Sequence, residues 1–140
     1  MLLGRHCRTD WPYNFRKMVV CVNDTSAAPA VEPNVVEWAT TLGLELHIAS
    51  VIHPLDATEP DAVLDAIAGR MEAQGLHAHR YVLRNTYPAD AIADFAESVG
   101  ADLVAMSSHA RTGSARVALG SVTMGVVGMA RCPVLVKRTA

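Results

Sequence analysis

Residues 102–138 read DLVAMSSHARTGSARVALGSVTMGVVGMARCPVLVKR. Asp102 to Met106 is an apolar run of strand length, and the polar stretch SSHARTGSARVALGS follows it. An apolar helical segment then runs through Ala130, and Pro133 introduces a last apolar run, Val134 to Lys137. Strand, helix and strand in that order form a βαβ unit, with a right-handed crossover and parallel strands.

The same alternation extends back toward the amino terminus. Pro88 opens a helix, ADAIADFAESV, that Gly100 ends, and Ala78 to Leu83 precedes it as a strand. A further helix is expected from Pro60 to Gln74, with Val63, Leu64, Ile67, Ala68 and Met71 on one face and Gly75 at its end. Leu44 to Ile52 reads as a strand. Ala27 to Leu42 carries Val31, Val35, Trp38, Ala39 and Leu42 at helical spacing, with Gly43 as its stop, and Pro29 and Pro33 put its start near Pro33. Met18 to Val22 is the first strand.

Five strands alternating with four helices predict an α/β protein with an open, mostly parallel sheet and helices on both faces. Composition agrees: of 140 residues, 22 are Ala and 17 are Val, whereas aromatics supply 5%. Small and β-branched side chains suit a Val-lined sheet under Ala-rich helices. The length suits one domain, residues 18–140. Residues 1–17 fall outside the alternation and read as an arm or linker, with Trp11, Pro12, Tyr13 and Phe15 as its aromatic part.

Several function classes are excluded as expectations. No run approaches the ~20 apolar residues of a membrane span, and MLLGRHCRTDWPYNF has no signal-peptide core. Cys7, Cys21 and Cys132 form no CxxC, so they read as reduced thiols in a soluble, cytoplasmic protein without a membrane partner. The net charge of −2 conceals segregation: +3 over residues 1–17, −10 over 18–110 and +5 over 111–140. A short basic segment on an acidic body fits a local anion site better than a nucleic-acid surface.

In such sheets ligands bind beyond the carboxyl ends of the strands, where strand order reverses. After the fourth strand, Gly113 and Gly120 allow close backbone approach, and Ser121 stands at the expected N-cap of the last helix. The N–H groups of that helix start would hold an anion, with Arg111 and Arg116 adding charge. His77 and His79 alternate on one strand face as a metal pair would, but no third ligand accompanies them. Ser108 and His109 are adjacent and lack a nucleophile elbow. Gly125 and Gly128 suit close helix packing. Neither a metal site nor a catalytic residue is expected.

The run Asp102 to Gly113, followed by Leu119-Gly120-Ser121-Val122 and Cys132-Pro133-Val134-Leu135-Val136, resembles the carboxyl-terminal signature of the universal stress protein family. The resemblance extends over residues 18–138, through MVVCV, WATTLGLELHIASVI and PADAIADFAESVGADLVAM. It implies a Rossmann-like fold of the adenine nucleotide alpha hydrolase type, strand order 3-2-1-4-5, and an adenine nucleotide between the loops after strands one and four. ATP is the nucleotide implied, with Mg2+ only alongside ATP.

Nucleotide-binding members carry Gly-x2-Gly-x9-Gly-Ser/Thr, and here the pattern is Ser107-x2-Ala110-x9-Gly120-Ser121. By the same matching, Asn23 takes the place of the aspartate that contacts the nucleoside in ATP-binding relatives, or Asp24 does if the loop is shifted by one; Val51 and Met106 would line the base pocket, and Thr25, Ser107, Ala110, Arg111, Gly113, Gly120, Ser121 and Val122 complete the implied nucleotide site. If Ser107 and Ala110 must take positive φ, the loop is strained and binding weak. The function expected is a regulatory domain that binds ATP weakly without strong catalysis; the alternative is an interaction module acting through dimerisation. The family commonly pairs the last strand with its copy, which implies a homodimer through Val134 to Lys137. Leu2-Leu3-Gly4-Arg5 resembles the end of another such domain, which implies the second half of a tandem pair.

Overall fold

A computed structural model describes residues 2–3, 15–22, 28–57, 60–109 and 120–139. The elements are β1 (Leu2–Leu3), β2 (Lys17–Cys21), α1 (Ala28–Leu42), β3 (Glu45–Ile52), α2 (Asp61–Ala73), β4 (Ala78–Arg84), α3 (Pro88–Val99), β5 (Leu103–His109), α4 (Ser121–Met129) and β6 (Val134–Thr139). The sheet order is β1-β6-β5-β2-β3-β4. The five strands from β2 onward are parallel, and counted from β2 they run 3-2-1-4-5 as expected.

The period-2 alternation of each strand sends side chains to two separate cores. Met18 and Val20 of β2, Leu46 and Ile48 of β3, and Leu103 and Ala105 of β5 face α1 and α2, where Val35, Ala39, Leu64, Ile67 and Met71 cover them. Val19 and Cys21, Val104 and Met106, and Val134 and Val136 face α3 and α4, where Ile92, Ala96, Val126 and Val127 cover them. Full burial of each Leu, Ile or Met in these layers contributes roughly 1.5–3 kcal/mol. Among the described residues, no helix is long and apolar enough to cross a membrane.

The start of β5 is tied to the start of β2 by a carboxylate. Asp102 Oδ2 accepts the backbone N–H groups of Arg16 at 2.8 Å and Lys17 at 3.1 Å. Phe15 packs against the α1–α2 side of the core; Trp11, Pro12 and Tyr13 lie outside the described residues.

Four expectations are corrected. Helix α1 begins at Ala28, five residues before Pro33, which sits inside it. Strand β5 does not stop at Met106: Ser107, Ser108 and His109 pair in register with Lys137, Arg138 and Thr139 of a correspondingly longer β6. Ser107 therefore lies in extended ladder backbone, and the positive-φ strain anticipated there does not arise. Finally, the sheet has a sixth strand, since Leu2 and Leu3 pair antiparallel with Leu135 and Val134. The chain itself thus occupies part of the outer edge of β6, satisfying backbone groups that would otherwise be unpaired.

Candidate functional site

Strand order reverses between β2 and β5, because β3 and β4 follow β2 on one side while β6 follows β5 on the other. The carboxyl ends of β2 and β5 therefore flank a crevice of the kind in which open α/β sheets bind ligands. Its wall is apolar. Val51 near the end of β3 and Val122 in the first turn of α4 pack against the same buried cluster that contains Met106 and Cys21. Three residues assigned to the pocket from the sequence, far apart in the chain, are thus brought onto one side of the sheet.

The amino end of α4 closes this side. Gly120, not Ser121, is its N-cap, with φ −57° and ψ 158°, and Ser121 is the first helical residue. The extended backbone at Gly120 turns its carbonyl toward the helix, where it accepts the N–H of Met124 at 2.9 Å. Ser121 is already inside the helical turn, so its side chain cannot act as the cap. Gly120 itself has no side chain with which to cap this end. The N–H groups of Ser121, Val122 and Thr123 have no acceptor within the helix, and together with the helix dipole they favour an anion. A Cβ built on Gly120 meets no atom of the described residues within 4 Å.

Ser107 is half-buried on β5, one residue beyond Met106. Asn23, Asp24 and Thr25 after β2, and Ala110, Arg111 and Gly113 after β5, lie outside the described residues, as does Arg116. At the crevice floor Cys21 is fully enclosed, and burial, with Cys132 nearby, pushes its thiol up to about 12. It is an inert wall residue rather than a nucleophile.

His77 and His79 do not form the pair that their spacing suggested. His77 precedes β4, while His79 lies opposite His47 in the β3–β4 ladder and 2.9 Å from the carboxylate of Glu45. Sequence reasoning missed Glu45 and His47. Their i, i+2 spacing on one strand is visible, but which residue of β4 faces them depends on the strand register.

The model of the universal stress protein family matches residues 14–138. A universal stress protein of Methanocaldococcus jannaschii is 37% identical over 86 residues, which are 61% of this chain and 50% of that protein. The chain thus spans about half the length of this curated relative. A universal stress protein solved in complex with cAMP superposes with a TM-score of 0.72 at 25% identity, covering 91% of this chain and all of that one (100%). The universal stress protein from Archaeoglobus fulgidus in complex with dAMP has the same fold, with a TM-score of 0.68 at 21% identity over 89% of this chain and 98% of its own. With the family's pattern matched from Asn14 to Arg138 and its sheet order reproduced, the chain belongs to the universal stress protein family.

Proposed function

We propose that this domain binds an adenine nucleotide at the carboxyl ends of β2 and β5, with a phosphate on the amino end of α4 and the base against Val51 and Met106. The observation that carries this reading is the start of α4 at Gly120, whose first N–H groups have no acceptor within the helix, set beside the apolar wall that Val51, Met106 and Val122 share. Relatives solved with cAMP and dAMP support the ligand class. ATP is the nucleotide we assign, with Mg2+ accompanying it, and the role is regulatory binding without strong catalysis.

Binding is weak in this proposal, with Kd in the roughly micromolar to millimolar range, or about 4–8 kcal/mol. Of the two replaced glycines only Ala110 remains as a source of strain, since Ser107 sits in a strand. Calorimetric titration of the parent with ATP and with cAMP tests the reading, and phosphate release tests for slow hydrolysis. Ala110→Gly should tighten binding, whereas Ser107→Gly should not. Gly120→Val should fold normally, because a Cβ there meets no atom of the described residues and its φ of −57° suits any residue, and should lose affinity at least about tenfold, as one lost charge-assisted hydrogen bond would imply. Failure of the parent to bind any adenine nucleotide at millimolar concentration would reject the proposal in favour of the interaction module.

That second reading draws on β6. A homodimer through Val134–Lys137 would have to displace Leu2–Leu3 from Val134 and Leu135 or use the edge beyond them. Sedimentation equilibrium with and without residues 1–3 separates these cases, and a monomer in both excludes the dimer.

A further inference from the structure

At the opposite ends of the strands from the crevice, the sheet carries a second cluster of polar side chains. Glu45 and His47 are two residues apart on β3 and share a face, and His79 of β4 lies directly across from His47 in the parallel register. The two imidazoles stack with centroids 5.0 Å apart and planes 24° apart. Glu45 Oε1 lies 3.1 Å from His47 Nε2 and 2.9 Å from His79 Nε2. One donor atom from each of the three residues falls within 4.8 Å of the others.

His47 is the informative member, being 5% exposed on the face that α3 and α4 cover. Its Nδ1 lies 3.3 Å from the Tyr81 hydroxyl, which also packs its ring on Phe95. Its Nε2 is buried and, among the described residues, makes no well-aligned hydrogen bond, although Glu45 Oε1 stands 3.1 Å away. The Tyr81 hydroxyl can accept from Nδ1 or donate to it; with the proton on Nδ1, the Nε2 lone pair faces a carboxylate lone pair. That arrangement is repulsive when empty and becomes attractive with a cation between them.

We propose that Glu45, His47 and His79 form a binding site for a borderline divalent cation, with Zn2+ as the matching ion and Tyr81 orienting His47 from behind. Two imidazoles and one carboxylate are a ligand set that zinc accepts, and tetrahedral bonds of ~2.0–2.2 Å place neighbouring donors about 3.4 Å apart. The distances to Glu45 are already close to this value. His79, with its side chain 51% exposed, can close on the ion by side-chain rotation alone, and the partial exposure of Glu45 leaves a route from solvent. Lys17 opposes a cation, but its ammonium is directed to the carbonyl of Val99 at 3.2 Å.

The site is separate from the nucleotide crevice. His47 and Val51 are four residues apart on β3, about 13 Å of strand rise, so failure of one reading leaves the other intact. An ion here would bridge β3 to the edge strand β4 with its remaining coordination position open to water.

The test is titration of untagged, chelator-stripped protein with Zn2+ against a chromophoric competitor, with Co2+ substitution to report coordination geometry. One equivalent per chain and a tetrahedral Co2+ spectrum are expected, with a rise in melting temperature. His79→Ala and Glu45→Gln, both at accessible positions, should each weaken binding by more than about a hundredfold, and Tyr81→Phe by about 10–100-fold. His77→Ala should change it less than about twofold, well below the loss expected of an orienting partner. Absence of stoichiometric uptake by the parent, retention of affinity in His79→Ala, or its loss in His77→Ala would each overturn the proposal.

Discussion

Substituting Gly125 by alanine puts a methyl group between two helices that touch at that point. The added Cβ would lie 2.7 Å from the Cβ of Ala89 on α3, whereas a Cβ at Gly128, one turn further along α4, meets nothing within 4 Å. Both substitutions replace glycine in a helix and each gains about 0.8–1 kcal/mol of helix propensity. At Gly128 nothing opposes that gain, and the unfolding entropy of a chain this long converts it to a rise of about 3 °C. At Gly125 carbon atoms that prefer about 3.5–4.0 Å must separate by about 1 Å, shifting α4 off α3. Overpacking of this kind costs typically about 1–3 kcal/mol. The two variants should therefore differ by about 1–3 kcal/mol in urea unfolding, with Gly125→Ala the less stable. Removing the opposing methyl with Ala89→Gly should restore the contact, giving a favourable coupling of about 1–2 kcal/mol in the double-mutant cycle. Equal stability of the two alanine variants, or zero coupling with Ala89, would refute the packing argument.

The Cys21 thiol ionises at about 12 in the folded chain against 9.0 ordinarily. Between those pH values the unfolded state holds fewer protons, so stability should fall with rising pH by up to about 1.4 kcal/mol per unit. Urea midpoints from pH 8 to 11 measure this, and Cys21→Ala should flatten the slope. Alkylation at pH 8 followed by peptide mass spectrometry should leave Cys21 unmodified in the native protein and modified in urea. Asp102→Ala removes the acceptor of two backbone N–H groups at a partly exposed site and should cost about 1–2 kcal/mol, with Asp102→Asn intermediate; an unchanged melting temperature would show that β5 needs no such tether.

The alternation of apolar runs and helical periods made the layer order readable, because each run in β2, β3, β5 and β6 is buried on both faces. The end of β5 was not readable that way. Ser107, Ser108 and His109 have no apolar signal, and their pairing with Lys137 to Thr139 supplies only backbone hydrogen bonds. Pro33 misled because local sterics argue for a helix start there, whereas the helix runs five residues further back to Ala28. At α4 the choice between Gly120 and Ser121 turned on a single residue of phase, which side-chain preference alone does not resolve. Leu2 and Leu3 gave no strand signal of their own, as two residues are too few for a period. The Glu45, His47 and His79 cluster depended on cross-strand register, a tertiary quantity.

The shared extension of β5 and β6 ties the end of the last strand to the start of the segment that follows β5. Residues 107–109 are held straight by residues 137–139, and at ~3.3 Å per residue they carry the start of the next segment about 10 Å beyond Met106. Residues 137–139 thus act as a ruler for where the segment after β5 begins. Trimming the last residues, or a neighbour that peels them away, would shorten that reach without touching any residue of the crevice.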